Sequence, residues 1–322
     1  MPYSFRLSRL RALVAAALVL GLAACGDTDS FNPENSTTAD AADQGPALDG
    51  SIVPVEAQPV ASASYAGGIP FGNFAQPTSA FGSVYNGAHR SIYPQQLMSE
   101  LAAIRARGGK VALKLAGGDR YFKDAAGRFS LAKWKARVDL FRNLNLNSYI
   151  NDGTIIGHYL IDEPQDANNW NGKPLSQATV EEMAKHSKSR WPGMATIARS
   201  SPDWLDNYNG QYRYLDAAWA QYAAHRWPNT KAFIEENVAK ARAKGLALVV
   251  GLNTIKGGPN KGQMSGSQVK AYGSALLSSS YPCAFLSWQY RSTYNNAGSI
   301  KEAMSQLRRQ AQSRSTKSCR AS

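Results

Sequence analysis

Two adjacent carboxylates, Asp162 and Glu163, close an apolar, β-branched run from Thr154 to Ile161 and are followed at once by Pro164. Such a run forms a buried strand. Proline has no N–H to give to a sheet ladder, so the strand stops there. Side chains at the carboxyl end of a buried strand stand where α/β barrels hold their chemistry. Paired carboxyl groups in that place are suited to general acid and base work. The plain alternative is a strand end that happens to be acidic. Because successive strand side chains diverge, Asp162 is poorly aimed to act together with Glu163 on one bond. It can instead shift the pKa of Glu163 through like-charge coupling, or accept a hydrogen bond from a ligand.

The elements that must position these acids begin well after the N-terminus. Arg6, Arg9 and Arg11 precede an apolar run, Leu13 to Leu22, that is too short to span a bilayer and reads as a secretion signal over residues 1–24. It ends in Leu22-Ala23-Ala24-Cys25, which resembles the lipobox of bacterial lipoproteins. That resemblance implies lipidation of Cys25, where each buried methylene of the acyl chains would contribute about 0.8 kcal/mol to anchoring. With Gly26 rather than an aspartate next, it also implies the outer membrane of the cell envelope. Residues 25–66 carry seven acids, no lysine or arginine and few large apolar side chains, and read as a flexible acidic tether.

Residues 67–322 remain, about 255 positions, the size of one (β/α)8 barrel. The whole chain has 36 basic and 23 acidic residues. Without the three signal arginines and the seven tether acids, 33 stand against 16. The excess is spread over helices rather than gathered in a tract, and no nucleic-acid motif accompanies it, so it reads as a solvated surface. Strand and helix signals alternate. Strands are expected at Ile69 to Gln76, Lys110 to Ala116, the run before Asp162, Met194 to Ala198, Tyr214 to Ala220, Leu246 to Asn253 and Cys283 to Gln289. Helices are expected at Pro94 to Arg107, Leu131 to Leu144, Gln177 to Ser189 behind Ser176, Thr230 to Lys244, one opened by Ser265 or Ser267, and Ser299 to Gln312. Seven near-continuous apolar strands between helices argue a parallel sheet closed into a TIM-type barrel. An eighth strand is expected near Leu146 to Ile150 or before Phe71. No glycine fingerprint follows the first strand, so nothing supports a nucleotide site.

In this order, FGNFAQP, RGGKVALKL, GHYLIDEP, LALVVGLN and FLSWQY, the chain resembles (β/α)8 glycoside hydrolases. In the large retaining clan of that fold the fourth strand ends in Asn-Glu-Pro, and the glutamate is the general acid/base. Asp162-Glu163-Pro164 matches that motif, which implies this role for Glu163. A tryptophan ending the last strand floors the sugar site of the clan, and Trp288 matches it. Glycoside cleavage needs one acid to protonate the leaving oxygen and a second carboxylate as nucleophile or base, ~5 Å away for retention and ~6.5–9.5 Å for inversion.

The clan places its nucleophile at the end of the penultimate strand, where this chain has Asn253, and no acid lies between Leu246 and Tyr281. Asp216 becomes the candidate second carboxylate, its alternative being a structural pairing with Arg199 or Arg213. Asp203 and Asp206 are weaker candidates. Asn73, Gln76, Asn253, Gln289 and Tyr290 fall at strand ends where they could bind hydroxyl groups, and Asp162 and Trp288 join them as expected binding residues. Trp170, Trp204, Tyr208, Tyr212 and Trp219 add aromatic surface on the same expected face. The four histidines, His89, His158, His186 and His225, show no ligand spacing, with His186 expected on an exposed helix face. No metal or cofactor is therefore expected. Cys283 and Cys319 can pair at the base of the barrel in an oxidising envelope. Two functions remain open: an envelope-anchored glycosidase with Glu163 as acid, or a non-catalytic carbohydrate-binding or structural barrel lipoprotein that lacks the nucleophile. Both imply a carbohydrate ligand and a monomer whose membrane contact is the lipid on Cys25. Both also place Asp162 and Glu163 in the largest polar pocket.

Overall fold

The computed structural model describes residues 68–320. Cys25, the signal and the tether lie outside the described residues. Eight strands run parallel in sequence order around a closed barrel: β1 (Phe71–Phe74), β2 (Gly87–Arg90), β3 (Lys110–Leu113), β4 (Ile155–Asp162), β5 (Thr196–Arg199), β6 (Ala217–Tyr222), β7 (Ala247–Leu252) and β8 (Ala284–Ser287). Helices cover it: α1 (Pro94–Ala106), α2 (Leu131–Asp139), α3 (Asn147–Asn151), α4 (Gln177–Arg190), α5 (Pro202–Asp206), α6 (Thr230–Ala243), α7 (Gly266–Leu277), α8 (Ser292–Asn295) and α9 (Gly298–Gln312). The expected TIM-type barrel is the fold observed. No helix among the described residues is long and apolar enough to cross a membrane.

The strand that periodicity missed is β2, Gly-Ala-His-Arg, a stretch without a single β-branched residue. Its glycine has a steric reason. A Cβ on Gly87 would come within 2.7 Å of the Phe71 nitrogen, and one on Gly72 opposite would meet the Gly87 carbonyl at 1.7 Å. β1 and β2 can approach only because both positions lack side chains. The segment expected to hide a strand, Leu146 to Ile150, forms most of the short helix α3 instead.

Local chemistry sets the helix starts. Ser176, Ser130, Asn229 and Ser265 each accept a backbone N–H of the first turn, and Ser265 forms a full capping box with Gln268. The helix layer is uneven. After β1 there is only one 3₁₀ turn, Thr78–Ala80, and after β5 only the single turn of α5. At the amino rim, Cys283 at the entry to β8 is bonded to Cys319 beyond α9. Closing a loop of 36 residues in the unfolded chain is worth about 4 kcal/mol in the chain-entropy account.

Candidate functional site

The upper barrel is filled by rings. Phe74 of β1 packs against His89 of β2 at 4.4 Å between centroids, Trp219 of β6 at 4.5 Å, Trp288 after β8 at 5.3 Å and Tyr159 of β4 at 5.7 Å. Above them the charged groups gather. Between Tyr159 and Ile161 the register of β4 against β5 slips, so that Asp162 comes to lie opposite Arg199. Such a slip re-aims the side chains beyond it. Although the sequence predicts that Asp162 and Glu163 diverge, both reach one guanidinium nitrogen of Arg199.

Arg199, the last residue of β5, is the centre of the site. One guanidinium nitrogen touches Asp162 and lies 3.4 Å from Glu163, and Nε donates to the Gln221 carbonyl oxygen at 3.3 Å. The guanidinium carbon stands 5.5 Å from the Trp288 ring and 5.7 Å from that of Phe74, within cation–π reach. Gln221 is fixed in turn, donating to the Leu252 carbonyl at 2.7 Å.

The Glu163 backbone is held in the left-handed region, φ +39°, a conformation that costs a non-glycine residue about 1–3 kcal/mol. Three hydrogen bonds secure it. Its N–H donates to the Arg199 carbonyl at 2.9 Å, and its carbonyl accepts from the Asp166 N–H at 3.0 Å and the Trp170 indole at 3.3 Å. Trp170 is thus a buried strut against Phe122 and Phe129 rather than a binding surface.

The two acids are driven apart electrostatically. For Glu163 the nearby Arg199 lowers the pKa, but burial and the Asp162 charge outweigh it and leave the group above its ordinary value. Burial alone would raise Asp162; Arg199, with Lys114 behind it, holds it below its ordinary value instead. The result is a carboxyl that keeps its proton longer beside one that stays ionised, the pattern of an acid and an electrostatic stabiliser. His89, under this layer, is held down to about 3 by burial and by Lys114, and is therefore neutral.

Glu163 and Arg199 line a cavity of about 180 Å³ that leaves the mouth between β5 and β6 and continues to α6. Asn253 and Trp219 line it too. Asp162 does not; it sits lower, against Arg199. Nor is this the largest cavity: one of about 470 Å³ lies at the amino rim around Asp216 and Tyr212.

That rim is where the structure corrects the expected second carboxylate. β6 begins at Ala217, three residues later than the sequence suggests, so Asp216 precedes the strand instead of lying within it. Its carboxylate accepts the Thr196 N–H at 2.8 Å and pairs with Lys188 at 2.6 Å, not with Arg199 or Arg213. Asp216 is a clamp at the wrong end of the barrel for catalysis. Asp203 does line the carboxyl cavity, but Lys240 bonds it and Glu236. Asp206 lies 3.8 Å from Lys244, and Tyr208 stacks on Tyr212 near the amino rim.

Asn73 and Gln76 are also removed from the expected ligand surface. Both are fully buried, with the Asn73 amide donating to the Gln76 oxygen at 3.1 Å. Trp288 is 8% exposed, packed on Phe74 with the Arg199 guanidinium near its ring, and is not among the residues lining the cavity beside Glu163. The peptide bond to the half-buried Gln289 is cis. Tyr290 is half-buried, its N–H on the Phe74 carbonyl at 3.0 Å and its ring edge-on to Tyr85 at 6.4 Å. His186 is half-buried and bonded to Asp139 at 2.9 Å rather than exposed. Among the described residues no cluster of three or more His, Cys, Asp or Glu side chains could hold a metal.

Sequence reasoning passed over Arg199, Gln221, Arg226 and Trp227, all of which line the carboxyl cavity. The strand-end rule that picked out Asn253 also applies to Arg199 and Gln221 once β5 and β6 are placed correctly. Trp227 lies in the loop beyond and carries no such signal.

No protein-family model matches the sequence, and no curated protein does. Solved structures do match in fold. A β-glucanase from Saccharophagus degradans superposes with a TM-score of 0.53 at 9% identity, over 76% of this chain and 88% of its own. The cellulose synthase subunit Z of Clostridioides difficile gives 0.49 at 12% identity over 73% and 99%. The catalytic domain of the major endoglucanase of Xanthomonas campestris pv. campestris gives 0.48 at 13% identity over 76% and 94%. At these identities the likeness is one of fold.

Proposed function

We propose that this protein is a glycoside hydrolase of the cell envelope, held there by lipid on Cys25, with Glu163 as its general acid. The observation that carries this reading is the state of Glu163: a carboxyl at the barrel mouth, lining an open polar cavity, with its pKa raised although an arginine stands 3.4 Å away. The fold shared with a β-glucanase agrees with it. In this reading a glycan bond lies over Glu163, which gives its proton to the leaving oxygen as the bond to the anomeric carbon breaks; a water molecule then adds to that carbon and returns a proton to the Glu163 carboxylate. Asp162, kept ionised by Arg199, supplies negative charge to the oxocarbenium-like transition state from below. Arg199 holds both carboxyl groups in register, and Gln165, Gln221 and Asn253, which line the same cavity, are the polar groups offered to sugar hydroxyls.

A second reading has its own observation. Arg199 engages both carboxyl groups, and the other acids lining the cavity, Asp203 and Glu236, are engaged by Lys240. Asn253 stands where the resemblance calls for a nucleophile. A barrel with such a mouth binds a glycan without cutting it. Release of reducing ends from a panel of envelope and plant polysaccharides separates the two. Cleavage by the wild type that Glu163→Gln loses supports the hydrolase, and binding without cleavage supports the second reading.

A further inference from the structure

The cavity beside Glu163 does not end at the barrel mouth. Because α5 is one turn long, the helix layer is thin after β5, and the cavity runs into that gap along β6 towards α6. At its α6 side stands Trp227, 41% exposed, one of two large apolar side chains of the described residues left so open. A single exposed apolar residue is ordinary on a protein surface. Trp227 differs in that it lines the same cavity as the candidate acid on a backbone that is hydrogen-bonded in place. Its N–H donates to the Ala223 carbonyl at 3.0 Å, and its carbonyl accepts the Tyr222 hydroxyl at 2.7 Å. Its ring meets Phe233 in a T-shaped contact, with centroids 5.5 Å apart and planes at 62°, and the rest of the indole stays open on the cavity side. Farther along, Lys240 is bonded by both Asp203 and Glu236, so its charge is already engaged by two carboxylates and that end offers no site for an anion.

We propose that Trp227 is a stacking platform for a sugar ring beyond the one held at Glu163, so that the ligand is a neutral oligosaccharide or polysaccharide chain and not a single sugar. The proposal rests on the reading of Glu163 as part of a sugar site. An indole face takes the C–H face of a pyranose without needing a charged partner, and a ring that already packs on Phe233 has less freedom to lose on binding. The trough supplies amide groups beside it, Gln165 and Asn237 among them.

The test compares the full chain with Trp227→Ala and Trp227→Phe on cello-, laminari- and chito-oligosaccharides from dimer to hexamer and on nitrophenyl monosaccharides. For the oligosaccharide series that is turned over, Trp227→Ala is expected to raise KM roughly three- to tenfold with kcat within about twofold, the span of one aromatic contact. Trp227→Phe should recover most of the loss, and nitrophenyl monosaccharides should not distinguish the variants. If Glu163-dependent cleavage is present and Trp227→Ala leaves KM for every oligosaccharide unchanged, or raises it equally for the monosaccharides, this proposal is wrong while the hydrolase reading stands. If the wild type neither cleaves nor binds any member of the panel, the sugar site falls and the proposal with it.

Discussion

Replacing Arg199 by methionine removes the charge on which both acids depend while keeping an unbranched stem among the rings. The side chain is 7% exposed, and its partners Asp162 and Glu163 are 20% and 24% exposed. Leaving a buried charge without its partner costs about 3–5 kcal/mol. The acids keep some access to water, so the low end applies, about 3 kcal/mol. In a domain of this size each kcal/mol moves Tm by roughly 2–4 °C, so Arg199→Met should melt roughly 6–12 °C below wild type at neutral pH. Most of that loss is repulsion and stranded charge rather than packing. Asp162→Asn in the same chain should therefore return at least about 1 kcal/mol. Thermal or urea unfolding of wild type, the two single variants and the double variant measures this cycle. Strict additivity, or a fall of less than about 0.5 kcal/mol for Arg199→Met alone, would show that the guanidinium is not what holds the acids together.

Further outcomes follow from buried charge elsewhere. His89 and His158 are fully buried and held at about 3, chiefly by burial, against 6.5 in the unfolded chain. Between those values the unfolded state binds more protons, so stability is complete above pH 6.5 and drains as pH falls towards 3. The loss should reach about 2 kcal/mol per histidine by pH 5. Urea unfolding at a series of pH values reads it, and a flat profile from pH 7 to 5 would contradict the burial argument. Asp216→Ala strands Lys188 and the Thr196 N–H at the amino rim and should cost about 2–4 kcal/mol of stability. Glycan binding or cleavage should stay within about twofold; a large loss of either at unchanged stability would restore Asp216 to the site.

What could be read in advance divides by physical cause. The barrel was legible because buried parallel strands are continuous apolar runs, and Leu246 to Asn253 or the run before Asp162 has no other stable place. The acid at the mouth was legible because Pro164 marks the strand end and hence the rim on which Glu163 stands. β2 was not, since a strand of four residues made of Gly, Ala, His and Arg has no period to detect. Asp216 was misplaced because it was chosen for its residue type: it stood near the start of the expected Tyr214 to Ala220 strand, and β6 begins only after it, which leaves it at the amino rim. Arg199 escaped for a different reason. Its function comes from the slip between β4 and β5, which sets Asp162 opposite it, and nothing in a linear pattern announces a slipped register. Asn73 and Gln76 have the right types for binding hydroxyls and sit near a strand end, yet both are buried inside the wall, joined by a single hydrogen bond.

The most direct test of the central claim is the kinetics of Glu163→Gln on whichever glycan the wild type cleaves. The amide keeps the shape of the carboxyl but has no proton to deliver, so kcat should fall roughly 10²- to 10⁴-fold with the dissociation constant of the uncleaved glycan little changed. In the wild type, kcat/KM should decline as pH rises through a value above the ordinary glutamate range, the direction set by burial and by Asp162. A variant that retains wild-type turnover, with the same pH profile, would show that Glu163 is not the acid.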